Sequence, residues 1–223
     1  MFRRLGFFCL VIAIFCGAFY KLREVPALGS LLLHDTDADA LGYEWPPVVG
    51  HEYPDLELLD QTGQTTRLSD FRGKIILLEL IGTPCGACQA FAGAHRVGVF
   101  RGGELQKNLE SIETYAKRYG NFDLKHKDVV YVQLLLFNKS IQAPSLEEAH
   151  AWAEHFNMKR SRNQVVLVGT SDLATRQSYE MVPGFHLIDR EFKLVRDSSG
   201  HHPVHNLYTN LLPTAGKLIK NGQ

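Results

Sequence analysis

Two cysteines, Cys85 and Cys88, lie three positions apart in the stretch ELIGTPCGACQAF, directly after an apolar run. A Cys-x-x-C pair of this kind can serve as a structural disulfide, as half of a zinc site or as a redox couple. A disulfide that closes so short a loop removes little entropy from the unfolded chain, so it stabilises the fold only slightly. Zinc binding and redox chemistry remain to be separated.

Zinc binding would require two further ligands, commonly a second cysteine pair or closely spaced histidines. The remaining cysteines, Cys9 and Cys16, belong to an apolar N-terminal segment and supply no such pair. His201, His202 and His205 could supply nitrogen ligands, but histidines around a proline are more typical of a solvated loop. The pattern therefore favours redox chemistry, and we expect neither a metal ion nor an organic cofactor.

Redox chemistry has a positive physical argument at Cys85. A cysteine at the first turn of a helix faces unpaired backbone N–H groups and the positive end of the helix dipole, which favour thiolate over thiol. Pro84 suits the start of a helix because its φ is fixed and it lacks an N–H donor. We predict that Cys85 attacks a disulfide of a partner protein and that Cys88, one turn deeper, resolves the mixed disulfide.

One acidic residue, Glu79, interrupts the apolar run IILLELI before the cysteines. A carboxylate inside a buried strand is unfavourable unless it is paired or used, and burial raises its pKa. Glu79 could therefore accept the proton of Cys88, directly or through water. The alternative is a half-exposed strand residue that pairs with a lysine such as Lys74.

The elements that must position these residues alternate between strands and helices. Short apolar runs predict buried strands at 74–80, 128–137 and 164–169, and alternating stretches predict an opening hairpin around 61–64 and another over 184–198. This order predicts an α/β fold, with a sheet flanked by helices.

Three helical segments are predicted between or after these strands. One begins at the cysteines, and near-3.6 spacing of apolar residues continues it as a broken helix that ends at Gly120. Ser145 and Glu148 form a capping box for the next helix. The closing helix is interrupted near Pro213.

Residues 5–20 are apolar and uncharged and follow Arg3 and Arg4. Their length falls between a signal-peptide core, about 7 to 15 residues, and the roughly 17 to 25 that a spanning helix needs. Bulky phenylalanines favour an uncleaved anchor whose tip stays in the cytoplasm while the rest is exported. The predicted organisation is a membrane anchor or signal segment at 1–22, a linker at 23–47 and a folded domain at 48–223.

The amino-acid composition limits the kinds of molecule that this protein is expected to bind. The chain has 223 residues, enough for one sizeable domain, and its 45% hydrophobic content is ordinary for a globular protein. Basic and acidic residues number 24 each, so no net charge would attract nucleic acid. We expect no nucleic-acid partner.

The stretch IILLELIGTPCGACQAF resembles the active-site region of the thioredoxin superfamily, in which a buried strand with an acidic residue leads into a Cys-x-x-C helix. In YEMVPGFHLIDREFKLV, Val182 and Pro183 resemble the family's segment that ends in a cis-proline facing the cysteines. The resemblance covers roughly residues 48–215. It implies a thioredoxin-like fold with a central mixed sheet, an N-terminal β-hairpin and an insertion after the active-site helix.

The same resemblance assigns roles to residues. Glu79 matches the family's buried acid, and Pro183 its cis-proline. The backbone of Val182 would pair with an incoming peptide in strand fashion and direct its disulfide at Cys85, with Pro84 beside it.

The apolar N-terminus and the hairpin that ends in RLSDFRGK resemble membrane-anchored, exported thioredoxin-like proteins of the bacterial cell envelope, some of which reduce disulfides during cytochrome c maturation. This subgroup implies protein disulfide substrates, an upstream thiol electron donor and the reducing direction. It also implies an inner-membrane location, with the N-terminus in the cytoplasm and the domain facing the periplasm.

Two other functions of this fold remain as alternatives. Peroxiredoxins place a proline seven residues before the reactive cysteine, but Leu78 and Ile81 stand at those positions here. Copper-delivery proteins of oxidase assembly use a cysteine pair in Cys-x-x-x-C spacing and a distant histidine, for which His186 or the histidines at 201–205 could serve.

Overall fold

The structure is a computed structural model that describes residues 42–222. The predicted anchor at 1–22, with Cys9 and Cys16, lies outside the described residues, as does most of the predicted linker. Within residues 42–222, no helix has the length and apolar character needed to cross a membrane.

A short hairpin opens the folded part, as predicted. Strand β1, Glu57–Leu59, pairs antiparallel with β2, Thr65–Arg67. The connecting turn is organised by Asp60, whose carboxylate accepts the N–H of Thr62 at 2.8 Å and that of Gln64 at 3.2 Å. A bridge between Asp60 and Leu167 attaches this hairpin to the rest of the molecule.

A five-stranded mixed sheet forms the centre of the domain. Its strands are β3 (Ile75–Gly82), β4 (Val129–Phe137), β5 (Gln164–Val168), β6 (Gly184–Ile188) and β7 (Leu194–Ser199). They lie in the order β5-β4-β3-β6-β7, with β3, β4 and β5 parallel and β6 and β7 added antiparallel. Strands β3 and β4 are buried along their whole length, which is why their sequences are nearly continuous apolar runs.

Helices flank this sheet, which confirms the predicted α/β architecture. They are α1 (Gly86–Ala92), α2 (Ala94–Val97), α3 (Ile112–Tyr115) with a π-helical turn (Ala116–Gly120), α4 (Leu146–His155), α5 (Arg176–Glu180), and a π-helical turn (Leu207–Leu211) that leads into α6 (Leu212–Lys220). Short 3₁₀ turns occur at Leu68–Phe71, Phe100–Gly102 and Arg160–Arg162.

Local signals account for several helix ends. The predicted capping box of α4 is present, since the Ser145 hydroxyl accepts the Glu148 N–H at 3.1 Å and the Glu148 carboxylate accepts the Ser145 N–H at 3.0 Å. The closing helix changes from a π-helical to an α-helical turn just before Pro213, where an interruption was predicted. Helix α5 was not predicted, although Thr175 caps it by accepting the Ser178 N–H at 3.1 Å.

The predicted helix after the cysteines is wrong over residues 104–111. Helix α3 begins only at Ile112, after Ser111 caps it through the Thr114 N–H at 3.3 Å, and Asn108 has a left-handed φ of 65° that breaks helical continuity. Leu105 and Leu109 instead pack against the core from an irregular segment. The predicted end at Gly120 is confirmed.

The two faces of the sheet have different surroundings. Ile75, Leu77 and Ile81 alternate along β3 and share one apolar cluster with Cys88 and Phe91 of α1. Ile76, Leu78 and Leu80, which alternate with these residues, are equally buried on the opposite face. Helix α1 therefore packs on the face of β3 that carries Leu77 and Ile81. Glu79 lies between these two residues on the same face.

Candidate redox-active site

Cys85 and Cys88 form a disulfide, with Cα atoms 5.2 Å apart. Cys85 is the N-cap residue of α1, and its sulfur accepts the backbone N–H of Cys88 at 3.1 Å. Cys88 is completely buried, whereas Cys85 is half-buried. The structure thus places the first sulfur at the start of the helix and within reach of solvent, and the second in the core.

The residues predicted to receive a substrate lie near the surface. Pro84 is exposed, and Val182 and Pro183 are half-buried. The peptide bond between Val182 and Pro183 is cis. Val182 and Cys85 both pack against the apolar cluster that contains Cys88, so the fold brings the two segments to one side of the sheet.

Glu79 is fully buried on the same face of β3. Its Oε2 accepts the hydroxyl proton of Tyr131 and a proton of the Gln133 amide, the latter at 2.8 Å. The alternative of a half-exposed residue paired with Lys74 is therefore wrong, because the Lys74 ammonium donates to Asn163 Oδ1 at 3.4 Å.

Burial raises the pKa of Glu79 from 4.5 to about 8, although the hydrogen bonds from Gln133 and Tyr131 act in the lowering direction. Its Oε1 is buried and has no hydrogen-bond partner among the described residues. A carboxyl group with a pKa near neutrality and one free oxygen can both hold and release a proton inside the core.

Two side chains that hydrogen-bond to Glu79, and a third that hydrogen-bonds to one of them, were not identified from the sequence. Gln133 lies opposite Glu79 in the β3–β4 register, and its amide also donates to the Tyr131 hydroxyl at 2.8 Å. Trp152 of α4 donates from Nε1 to Gln133 Oε1 at 2.9 Å, which fixes the orientation of that amide. The available signal was two polar-tipped residues, two positions apart, within the apolar run DVVYVQLLLF.

This environment predicts a pH-dependent stability effect for Glu79→Gln. Between pH 4.5 and about 8 the folded protein holds a proton that the unfolded chain has released, so its free energy of unfolding falls as pH rises through this window. The difference between the two pKa values corresponds to about 5 kcal/mol as an upper limit. The neutral variant should match the wild type near pH 4 and exceed it by several kcal/mol at pH 9.

The measurement is denaturant unfolding of the oxidised protein across this pH range. Glu154→Gln removes an exposed carboxylate from α4 and is the matched control, which should track the wild type at every pH. A constant difference between Glu79→Gln and wild type from pH 4 to 9 would contradict a buried titrating acid.

His186 faces the opposite side of the sheet from the cysteines. It alternates with Phe185, which contacts Phe91 of α1 at 5.1 Å between ring centroids. Its Nδ1 is hydrogen-bonded to the Tyr53 hydroxyl at 2.8 Å, and its Nε2 lies 3.4 Å from Asp197 Oδ1. Burial works to raise the pKa of Asp197, but His186 and other hydrogen bonds hold it below its usual value.

The other histidines considered as metal ligands lie in a loop near β7. His201 and His202 are exposed, and His205 Nδ1 accepts the Asp197 N–H at 3.3 Å. Within residues 42–222, no group of three or more histidine, cysteine, aspartate or glutamate side chains is arranged to hold a metal ion. The structure does not bring His186 to the cysteine pair.

No protein-family model and no curated protein sequence matches the chain. Solved structures do resemble it. A candidate protein disulfide isomerase from Bacteroides thetaiotaomicron is 18% identical, with 79% of this chain and 93% of that chain covered and a TM-score of 0.51. A candidate electron transfer protein from Aquifex aeolicus is 17% identical, with coverages of 77% and 97% and a TM-score of 0.50.

The thioredoxin domain of a thiol–disulfide oxidoreductase from Bacteroides vulgatus is 18% identical over 75% of this chain and 98% of that chain, with a TM-score of 0.46. At such identities the likeness concerns the fold. The likeness to the first two structures confirms the predicted thioredoxin-like α/β fold.

Proposed function

We propose that this chain, which has the thioredoxin-like fold, is a thiol–disulfide oxidoreductase that reduces disulfides in other proteins. The observation that supports the proposal most directly is the arrangement of the two sulfurs. A half-buried Cys85 caps the start of α1 and is bonded to a fully buried Cys88 three residues later. Such a pair exposes one sulfur to a partner and protects the other until it is needed.

The proposed reaction transfers two electrons from the dithiol to the substrate. The Cys85 thiolate attacks one sulfur of the substrate disulfide, which forms a mixed disulfide and releases a substrate thiolate. Cys88 loses its proton to Glu79, directly or through water, and attacks the Cys85 sulfur. The second substrate thiolate leaves, the Cys85–Cys88 disulfide is formed, and an upstream dithiol donor must reduce it again.

The substrates and location remain predictions from the sequence. Residues 5–20 follow Arg3 and Arg4, and this pattern supports an inner-membrane anchor with a cytoplasmic N-terminus and a domain that faces the periplasm. Exported proteins with disulfides would then be the substrates, and a membrane or envelope thiol protein the donor.

The two alternative functions receive less support from the geometry. Copper delivery would use His186 or a histidine at 201–205 together with the cysteines. His186 lies on the opposite face of the sheet, hydrogen-bonded to Tyr53. His201 and His202 are exposed, and residues 42–222 contain no group of three or more histidine, cysteine, aspartate or glutamate side chains arranged to hold a metal ion. Peroxide reduction would need a proline at position 78 or 81, where leucine and isoleucine stand.

The test is catalysed reduction of insulin by the purified full-length protein with dithiothreitol as donor. We expect reduction well above the uncatalysed rate, and equilibration with glutathione buffers should give a potential reducing enough to favour substrate reduction. A rate equal to that of dithiothreitol alone would refute the proposed activity, and a strongly oxidising potential would reverse its direction.

A further inference from the structure

The segment Phe100–Gln106, called here the covering segment, lies directly over the turn between the two cysteines. The Gln106 N–H donates to the carbonyl oxygen of Gly86 at 3.2 Å. A Cβ atom at position 86 would lie only 2.6 Å from the backbone oxygen of Glu104. The cysteine turn therefore needs glycine at this position because the covering segment occupies the adjoining space.

Gln89, one residue after Cys88, fastens the covering segment to the turn. Its Oε1 accepts the Phe100 N–H at 2.8 Å, and its Nε2 donates to the Thr83 carbonyl at 2.9 Å. The side chain is fully buried, so both bonds are shielded from water. Gly103 packs so closely against this amide that a Cβ there would overlap it.

The covering segment is anchored in the core at one end and solvated at the other. The Phe100 ring packs edge-on against Trp152, with centroids 5.2 Å apart. Glu104 and Gln106 are exposed, as is the neighbouring Lys107. A segment that is held rigidly at its base and presents a polar surface beside the reactive sulfur can restrict what reaches that sulfur.

We propose that the covering segment is a specificity element, which closes the Gly86 side of the cysteine turn and leaves substrates to approach Cys85 past Pro84 and Val182. This inference rests on the proposed oxidoreductase function. Small disulfides and disulfides in extended chains fit such an approach. Bulky folded proteins collide with the covering segment and are reduced more slowly. Gln89 acts as a positioning residue, because it holds the covering segment in place.

Two substitutions weaken the packing of the covering segment against the cysteine turn at different residues. Gln106→Pro removes the N–H that binds Gly86 and places ring carbons there, and Gly103→Ala pushes the segment away from Gln89. Lys107→Ala, in the adjacent exposed residue, is the matched control. The assay compares kcat/KM for oxidised glutathione and for insulin, together with the reduction potential, in the full-length protein.

We expect both variants to raise kcat/KM for insulin by about fivefold, the equivalent of one net hydrogen bond. The rate with oxidised glutathione and the potential should stay at wild-type values, and the control should match the wild type on both substrates. Since the variants act at different residues, misfolding of one in thermal melts leaves the other as the test.

An unchanged insulin-to-glutathione ratio in the folded variants would overturn the inference. So would equal changes on both substrates with a shifted potential, because these would place the effect on the sulfur chemistry. The same change of the insulin-to-glutathione ratio in Lys107→Ala would assign the discrimination between substrates to surface charge and not to the covering segment. Failure of the proposed function is distinguishable, because the wild type would then reduce neither substrate.

Discussion

Serine at position 85 is expected to abolish catalysed disulfide reduction, whereas serine at position 88 should stop the reaction at the mixed disulfide. Cys85 is the sulfur that is partly accessible, and Cys88 is completely buried behind it. Without the Cys85 thiolate no partner sulfur can be attacked, so we expect a loss of about a thousandfold or more. Without Cys88, attack proceeds but the covalent intermediate cannot be resolved.

The two outcomes are separated by non-reducing electrophoresis and mass spectrometry after reaction with insulin. Cys88→Ser should show a covalent adduct that dithiothreitol releases, and Cys85→Ser should show none. The experiment is best done with Cys9 and Cys16 replaced by serine, so that the only cysteines of the chain are those of the pair under test. Equal adducts in both single variants would contradict the assigned order of attack.

The strands that carry this chemistry could be predicted because burial leaves a strong mark on composition. The apolar runs at β3 and β4 have little room for polar residues, and the capping box of α4 is a local signal complete within four positions. The burial of Glu79 followed from the same logic, since a lone charge in such a run must be accommodated.

Features that depend on contacts between distant positions could not be predicted. That Gln133 lies opposite Glu79 is a matter of register between strands 54 positions apart, and Trp152 reaches Gln133 only through the packing of α4. The same limit applies to Trp45 in the predicted linker, which is buried and donates to Ser178 Oγ of α5 at 2.9 Å.

The periodicity of apolar residues predicts a helix at 104–111, where the local backbone conformation opposes one. Leu105 and Leu109 have helical spacing, but they are half-buried through irregular backbone, and Asn108 takes a left-handed conformation between them. The reason for the irregular path is tertiary, because this stretch continues the covering segment that binds Gly86. The wrongly predicted helix at 104–111 and the covering segment therefore share residues 104–106.

Glu79→Gln should lengthen the lifetime of the mixed disulfide by about a hundredfold at pH 8, because it removes the group proposed to take the Cys88 proton. Glu79 has the properties such a base needs: its pKa is raised to about 8 by burial, and its Oε1 has no hydrogen-bond partner within residues 42–222. Glutamine keeps the shape and can accept the Tyr131 hydrogen bond, but it cannot accept a proton.

The pH dependence of the rate of mixed-disulfide resolution tests this prediction most directly. Only ionised Glu79 can act as a base, and with a pKa of about 8 roughly a tenth of it is ionised at pH 7. The rate of resolution in the wild type should therefore rise with pH and level off above about pH 8. The variant should be slower and should lack the levelling off near pH 8, because its Cys88 can lose the proton only to hydroxide or water. Quenched-flow mass spectrometry of the adduct measures both rates.

Glu154→Gln again serves as the control for loss of a carboxylate, since that residue is exposed on α4, and it should retain the wild-type profile. The reduction potential should be measured alongside, because a base acts on the rate of proton transfer during resolution. A Glu79→Gln variant that resolves the adduct at the wild-type rate and with the wild-type pH profile would leave the buried carboxyl with a structural role alone. The Cys88 proton would then have to leave by another route.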